Sequence, residues 1–138
     1  MIFSDFEVDV SKGSFKIELD RPCQCYVGLV AFHLPSIDDP DVPHNVVELS
    51  CDQIDSEFLN PKRLLKRLVF EKVDEFDHYF NHYDAHHIDF KPIDSQDKFL
   101  SFKIERPNHG LSFEAGTTAY ITLAFKPFDS DHRRWIRI

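Results

Sequence analysis

Strict alternation of apolar and polar residues is the feature that most constrains how this chain can fold. It is clearest near the C-terminus, where one set of alternate positions is apolar: Ala119, Ile121, Leu123 and Phe125. Successive side chains of a strand point to opposite faces, so a period of two predicts a sheet with one buried face. The same alternation recurs in three other segments, 15–19, 27–31 and 100–104.

Strands are predicted wherever this alternation, or a continuous apolar run, is bounded by turn residues. They fall at 3–10, 15–20, 23–33, 45–51, 87–92, 99–105 and 118–126. The turn-like residues 11–14 predict a hairpin between the first two strands, and the long apolar run 23–33 predicts a central strand. Segment 62–71 fits either a short amphipathic helix or a strand, and its β context favours a strand in its C-terminal half. The acidic, aromatic segment 73–83 is predicted to be an exposed excursion.

These strands predict an all-β fold, a single-domain β-sandwich of the jelly-roll kind. The chain has 138 residues, which is most economically one domain, 1–138, with 127–138 as an extended C-terminal tail. Its 14 Phe against 4 Gly suit the space between two packed sheets, which large flat rings fill well.

The overall charge disfavours nucleic acid as a partner. The chain has 24 acidic and 16 basic residues and a formal net charge of −8, and a negative surface repels phosphate backbones. No apolar stretch approaches the roughly 20 residues that span a bilayer, so no membrane association is expected. Three cysteines and no visible signal peptide favour synthesis in a reducing cytoplasm or nucleus, with free thiols.

The sequence offers no signal for catalysis, so the chain is expected not to be an enzyme and to need no cofactor. It lacks a G-x-S-x-G turn and a glycine-rich phosphate loop. Cys23 and Cys25 are separated by one residue, whereas chelating and redox motifs usually have two between them, so both are interpreted as small apolar residues of a strand.

A histidine cluster offers the one metal-like pattern: His78, His82, His86 and His87. On a helix, spacing by four would stack the imidazoles on one face and suit zinc. Residues that favour strands, such as Tyr79 and Ile88, interrupt such a helix. An exposed aromatic loop is the preferred interpretation, and no metal site is predicted.

Two basic clusters are the predicted partner contacts. The residues are Lys62, Arg63 and Arg67, and, near the end of the chain, Arg133, Arg134, Trp135 and Arg137. Trp and Arg are enriched in interface hot spots, so the second cluster could dock on an acidic loop of a neighbouring subunit. The same residues would also suit a last strand that completes the fold, and both interpretations stay open.

The order of segments carries a resemblance to a known group of proteins. The segments are C-Y-V-G-L-V-A-F-H-L-P at 25–35, V-E-L-S-C-D-Q-I at 47–54, L-L-K-R-L-V at 64–69, L-S-F-E-A-G at 111–116 and A-Y-I-T-L-A-F at 119–125. They resemble a pattern of proteins encoded by Polinton (Maverick) elements and adintoviruses, in which W-E-V-G-L, Y-C-D-I and L-L-R-V-V follow one another. This chain departs from it in having Tyr26 in place of Trp-Glu and in lacking a Gly-Asp after Cys51-Asp52.

The resemblance implies a viral or virus-like structural protein, associated with a capsid and without catalytic residues. Its partners would be itself, as a homo-oligomer, and other capsid proteins, and its location would be the virion. The alternative is a monomeric or trimeric binding module that recognises a carbohydrate or a protein through exposed aromatic residues, Tyr79, Phe80 and Tyr83. A histidine-rich metal protein is a third and weaker alternative.

Overall fold

The computed structural model describes residues 1–34, 44–55, 60–71, 78–81, 88–106 and 116–128. They form nine strands: β1 (Ile2–Asp9), β2 (Ser14–Glu18), β3 (Cys23–Leu34), β4 (His44–Cys51), β5 (Leu64–Glu71), β6 (His78–Asn81), β7 (Phe90–Ser95), β8 (Phe99–Glu105) and β9 (Thr118–Pro127). Within these ranges no helix has the length and apolar character needed to cross a membrane.

The strands form two antiparallel sheets. The first has the order β1-β9-β3-β6, with β7 also paired to β3, and the second has the order β2-β8-β4-β5. The predicted all-β sandwich is therefore confirmed. Six predicted strands agree with β1, β2, β3, β4, β8 and β9 to within two residues at each end.

Strand β3 is the centre of the first sheet, as its long apolar run predicts. One edge pairs with β9, and the other pairs with β7 over Cys23 to Gly28 and with β6 over Ala31 to Leu34. Strands β6 and β7 thus lie end to end along one edge of β3. The register shifts between Leu29 and Ala31, so Val30 is an extra residue, a bulge that bends and twists the strand.

Alternating residues of both sheets meet in one apolar core. Strands from both sheets contribute fully buried side chains, among them Phe32, Leu34, Leu49, Leu65, Ile93, Leu100, Phe102, Ile121 and Leu123. Phe15 of β2 stacks on Phe102 of β8 with ring centroids 5.1 Å apart and planes 13° apart. The two sheets therefore bury a common interior, which is the main source of their stability.

The predicted hairpin between the first two strands is wrong. Strand β1 pairs with β9 in the first sheet, whereas β2 pairs with β8 in the second. The turn crosses from one layer to the other because Val8 and Phe15 both face the core from opposite sides. Gly13, at φ 73°, provides the left-handed turn position, and its carbonyl accepts a hydrogen bond from Ile104 N of the second sheet.

The ambiguous segment 62–71 is a strand from Leu64 onward, longer than the predicted C-terminal half. A compact turn introduces it. The Asn60 side chain donates to Leu64 O at 3.0 Å and accepts from Leu64 N at 2.8 Å, as a paired strand residue would. Arg63 adopts a left-handed conformation with φ 57°, which costs a non-glycine residue roughly 1–2 kcal/mol.

The region from 73 to 95 differs most from the prediction. Strand β6 lies within the predicted excursion 73–83, and β7 covers Phe90–Ser95 rather than 87–92. Before β7 the chain crosses the outer face of β3, where Ile88 and Phe90 cover Val30 and Ala124. This second, smaller cluster needs glycine at position 28, because a Cβ there would lie 2.4 Å from Ile88 Cγ2.

Candidate functional site

The first predicted basic cluster lies on the outer face of the second sheet, among acidic residues. Arg67 of β5 pairs with Glu48 of β4 at 3.2 Å, and the Glu48 side chain is only 9% exposed. Arg63 Nη1 donates to the carbonyl of Asp52 at 2.7 Å. A surface cavity of about 350 Å³ lies on this face, and Lys62 is one of its lining residues.

We call this outer face of the second sheet the mixed-charge face. Ion pairs between its own residues balance most of its charge. Glu105 of β8 lies directly opposite Glu48 in the register, which would repel. Lys103 Nζ lies 3.0 Å from Glu105 Oε1 and offsets that repulsion locally. Lys62 and Arg67 therefore lie among acidic residues, and Arg63 is bonded to a backbone carbonyl, so the three do not form an isolated positive patch.

The second predicted cluster, Arg133, Arg134, Trp135 and Arg137, lies outside the described residues. So do His82, His86, His87 and Tyr83, whereas His78 is the first residue of β6. In the part of the chain that the structure describes, no group of three or more His, Cys, Asp or Glu is placed to hold a metal ion.

A stacked aromatic pair lies on the outer face of the first sheet. Tyr120 of β9 stacks on His33 of β3 with ring centroids 5.9 Å apart and planes 10° apart, and Tyr120 is 52% exposed. Tyr79 of β6 is the register partner of His33 on the other side, and Phe80 is the partner of Phe32. His33 and Tyr120 were missed from the sequence because their pairing is not local.

The cysteines lie on the inner faces of their strands. Cys23 Sγ and Cys25 Sγ are 2.6 Å apart, and all three thiols are free. Burial raises the pKa of the Cys25 thiol, and its contact with Cys23 adds to this effect. Burial also raises the pKa of Cys51 to about 11. Cys25 and Cys51 are therefore neutral at physiological pH, where a thiol is a poor nucleophile.

The raised pKa of Cys51 predicts a loss of stability in alkali. Its folded pKa, about 11, lies above the ordinary 9.0, so its contribution is complete below pH 9 and is lost as the pH rises through 11. The loss is about 2–3 kcal/mol. We expect the unfolding free energy, measured in urea between pH 8 and pH 11, to fall by that much more for the unmodified chain than for Cys51→Ala. Parallel pH profiles for the two chains would contradict the prediction.

An apolar opening at one end of the sandwich was not predicted from the sequence. It is a cavity of about 350 Å³ between the start of β1 and the turn before β3, with an apolar interior formed by Ile2, Phe6, Leu19, Pro22, Cys23 and Phe125. Glu18, Asp20 and Arg21 stand at its rim. Ile2 is 67% exposed although its alternate neighbours Ser4, Phe6 and Val8 turn progressively into the core.

Comparisons with known proteins identify no relative of this chain. No protein-family model matches the chain, and neither the curated proteins nor the solved structures include a significant match. The class that the fold itself defines is an antiparallel β-sandwich of two sheets around one core.

Proposed function

We propose that this chain is a structural subunit of a virus-like particle, a jelly roll that acts by self-assembly or by docking within a capsid. The winding of the sheets supports the jelly roll. Of the eight connections between the described strands, six pass from one layer to the other, and β4–β5 and β6–β7 stay within a layer. If β6 and β7 are counted as one interrupted strand, each layer has four strands, as in a jelly roll.

Jelly rolls occur both in capsid proteins and in lectins, so the winding alone does not choose between assembly and ligand binding. The observation that carries assembly is the exposed apolar edge at β1. Ile2 is 67% and Phe3 is 49% exposed, and Ile2 adjoins the apolar opening. Exposed apolar surface at a strand edge marks a site of association between chains.

The partners proposed are further copies of this chain and other capsid proteins, in agreement with the Polinton-like segment order. The contacts we expect are Lys62, Arg63 and Arg67 on the mixed-charge face, together with Arg133, Arg134, Trp135 and Arg137. The net charge of −8 supports protein rather than nucleic acid as the partner. Closed symmetry would multiply modest contacts into a stable particle in the virion.

The test is the mass of the chain in solution by light scattering, across protein and salt concentrations. We expect a discrete closed oligomer that dissociates at high salt, because salt screens exposed ion pairs. Arg134→Glu with Trp135→Ala should abolish it. The control is Lys16→Glu with Phe99→Ala, which makes the same kinds of change at exposed positions of the second sheet. A chain that stays monomeric at every concentration, or a double variant of unchanged mass, would contradict the proposal.

The stacked His33–Tyr120 pair favours a second candidate, a ligand-binding module. Exposed aromatic faces bind flat or apolar ligands, and the backbone of Tyr79, a residue of the alternative prediction, is paired with that of His33. A monomeric chain that binds oligosaccharides, and loses binding on Tyr120→Ala, would favour this candidate over assembly.

A further inference from the structure

Strand β1 is a long, open edge of the first sheet. It has eight residues, Ile2–Asp9, and in the part of the chain that the structure describes it pairs only with β9. The far edge of such a strand presents backbone donors and acceptors to any chain that can extend alongside it. Natural edge strands are often protected by lysine or proline, and β1 contains neither.

The two faces of this edge have different chemistry. On the inner face, Ile2 and Phe6 border the apolar opening together with Phe125, which lies opposite Ile2 in the register. On the outer face, Asp5 and Glu7 are exposed and no cation occurs on the strand. A strand added to β1 would therefore need aliphatic side chains at one set of alternate positions and basic ones at the other.

Residues 132–138 combine aliphatic and basic side chains in this way. Within 132–138, which we call the basic segment, Ile136 and Ile138 share one set of alternate positions with His132 and Arg134, and Arg133, Trp135 and Arg137 occupy the other. We infer that the basic segment of one copy adds as a strand to the β1 edge of the next copy. Its isoleucines then cover the apolar opening, Arg134 on the same face lies near Asp20 at the rim, and Arg133 and Arg137 lie beside Asp5 and Glu7.

The direction of β9 argues for a neighbouring copy. Strand β9 ends at Pro127, beside the start of β1. A segment that turned back from there onto the edge of its own β1 would run parallel to β1. A segment from a neighbour can enter antiparallel, the more stable and more frequent pairing. The inference rests on the proposed assembly, and its contact joins different surfaces of two copies, which generates a ring when the rotation closes.

Complementation between two variants tests the contact. The edge variant, Asp5→Lys with Glu7→Lys, keeps its basic segment, and the segment variant, Arg134→Glu with Trp135→Ala, keeps its edge. Each alone should remain a monomer of 16.2 kDa. An equimolar mixture should form a species of two chains and no larger one, because only one intact contact is available. The control for the edge variant is Asp89→Lys with Asp94→Lys, the same change of charge on exposed positions elsewhere, which should assemble normally.

A peptide measurement separates the failure of this inference from the failure of assembly. A fluorescent peptide with the sequence 129–138 should bind the full-length segment variant saturably, and adding Asp5→Lys and Glu7→Lys to that chain should weaken binding at least tenfold. Circular dichroism confirms that each variant is folded. Absent or edge-independent binding overturns the inference.

The mass measurements give two further results that would overturn it. If the edge variant assembles while the segment variant does not, the proposed assembly stands and this contact is wrong. The other result is a monomeric unmodified chain together with a peptide that binds only to chains whose own basic segment carries Arg134→Glu and Trp135→Ala. In that case the basic segment occupies the β1 edge of its own chain, and the proposed contact with a neighbouring copy is wrong.

Discussion

Replacing Phe102 by alanine is expected to lower the free energy of unfolding by about 3–5 kcal/mol, a large part of the roughly 5–15 kcal/mol of a typical domain. The ring is 2% exposed and stacks on Phe15. It lies between β2 and β4, because its register partners are Phe15 and Cys51. The truncation therefore leaves a cavity in the middle of the second sheet that neither neighbour can fill.

The same strand provides the control for this measurement. Phe99 is also on β8, but its side chain faces outward and is 36% exposed. Phe99→Ala should cost about 1 kcal/mol or less in urea unfolding. Equal losses for the two alanine variants would show that Phe102 does not fill the core as described.

Replacing Gly28 is expected to give the second large decrease in the free energy of unfolding. The cause would be crowding by the new side chain rather than a cavity. Besides Ile88 Cγ2 at 2.4 Å, a new Cβ would meet Phe90 Cδ1 at 3.2 Å and Asp89 O at 3.4 Å. Alanine should cost about 1–3 kcal/mol, and valine more. The segment before β7 would have to lift from the sheet and expose Val30 and Ala124 to water.

A double-mutant cycle with Ile88→Ala isolates the crowding, because that change removes the atom that the new Cβ meets most closely. The two substitutions together should cost less than the sum of their separate effects, by about 0.5–3 kcal/mol, in thermal or urea unfolding. Simple additivity would mean that Ile88 is not the residue in the way.

The sequence predicted features that depend on neighbouring residues and missed those that depend on distant ones. Alternation located β3, β8 and β9, since the side-chain period is a local property. The hairpin prediction was wrong because the turn residues at 11–14 indicate that the chain reverses but not which sheet it then enters. Strand β6 was missed because its four residues are too short for any period to be visible.

The candidate surfaces also combine features that were predictable from neighbouring residues with features that were not. Lys62, Arg63 and Arg67 could be grouped from sequence, but their acidic neighbours could not, because Glu48 and Glu105 come from other strands. The open edge of β1 could not be predicted either. Whether a strand lies at an edge depends on the order of all strands in the sheet, and the acidic alternation of Asp5 and Glu7 is its only local sign.

The bulge at Val30 has a consequence for how much sequence change the fold tolerates. Around this bulge β3 is covered on both faces, by the main core beneath Leu29 and Phe32 and by the smaller cluster above Val30. A single-residue deletion in a regular part of β3 would turn every later side chain to the opposite face. Deletion of Val30 itself would keep Phe32 and Leu34 in the core but would remove a buried residue of the smaller cluster. The outer positions of β1 and β2 carry no such restriction. Divergent sequences with this fold should therefore vary freely at that edge, where partners could be exchanged, while β3 keeps its length and its pattern.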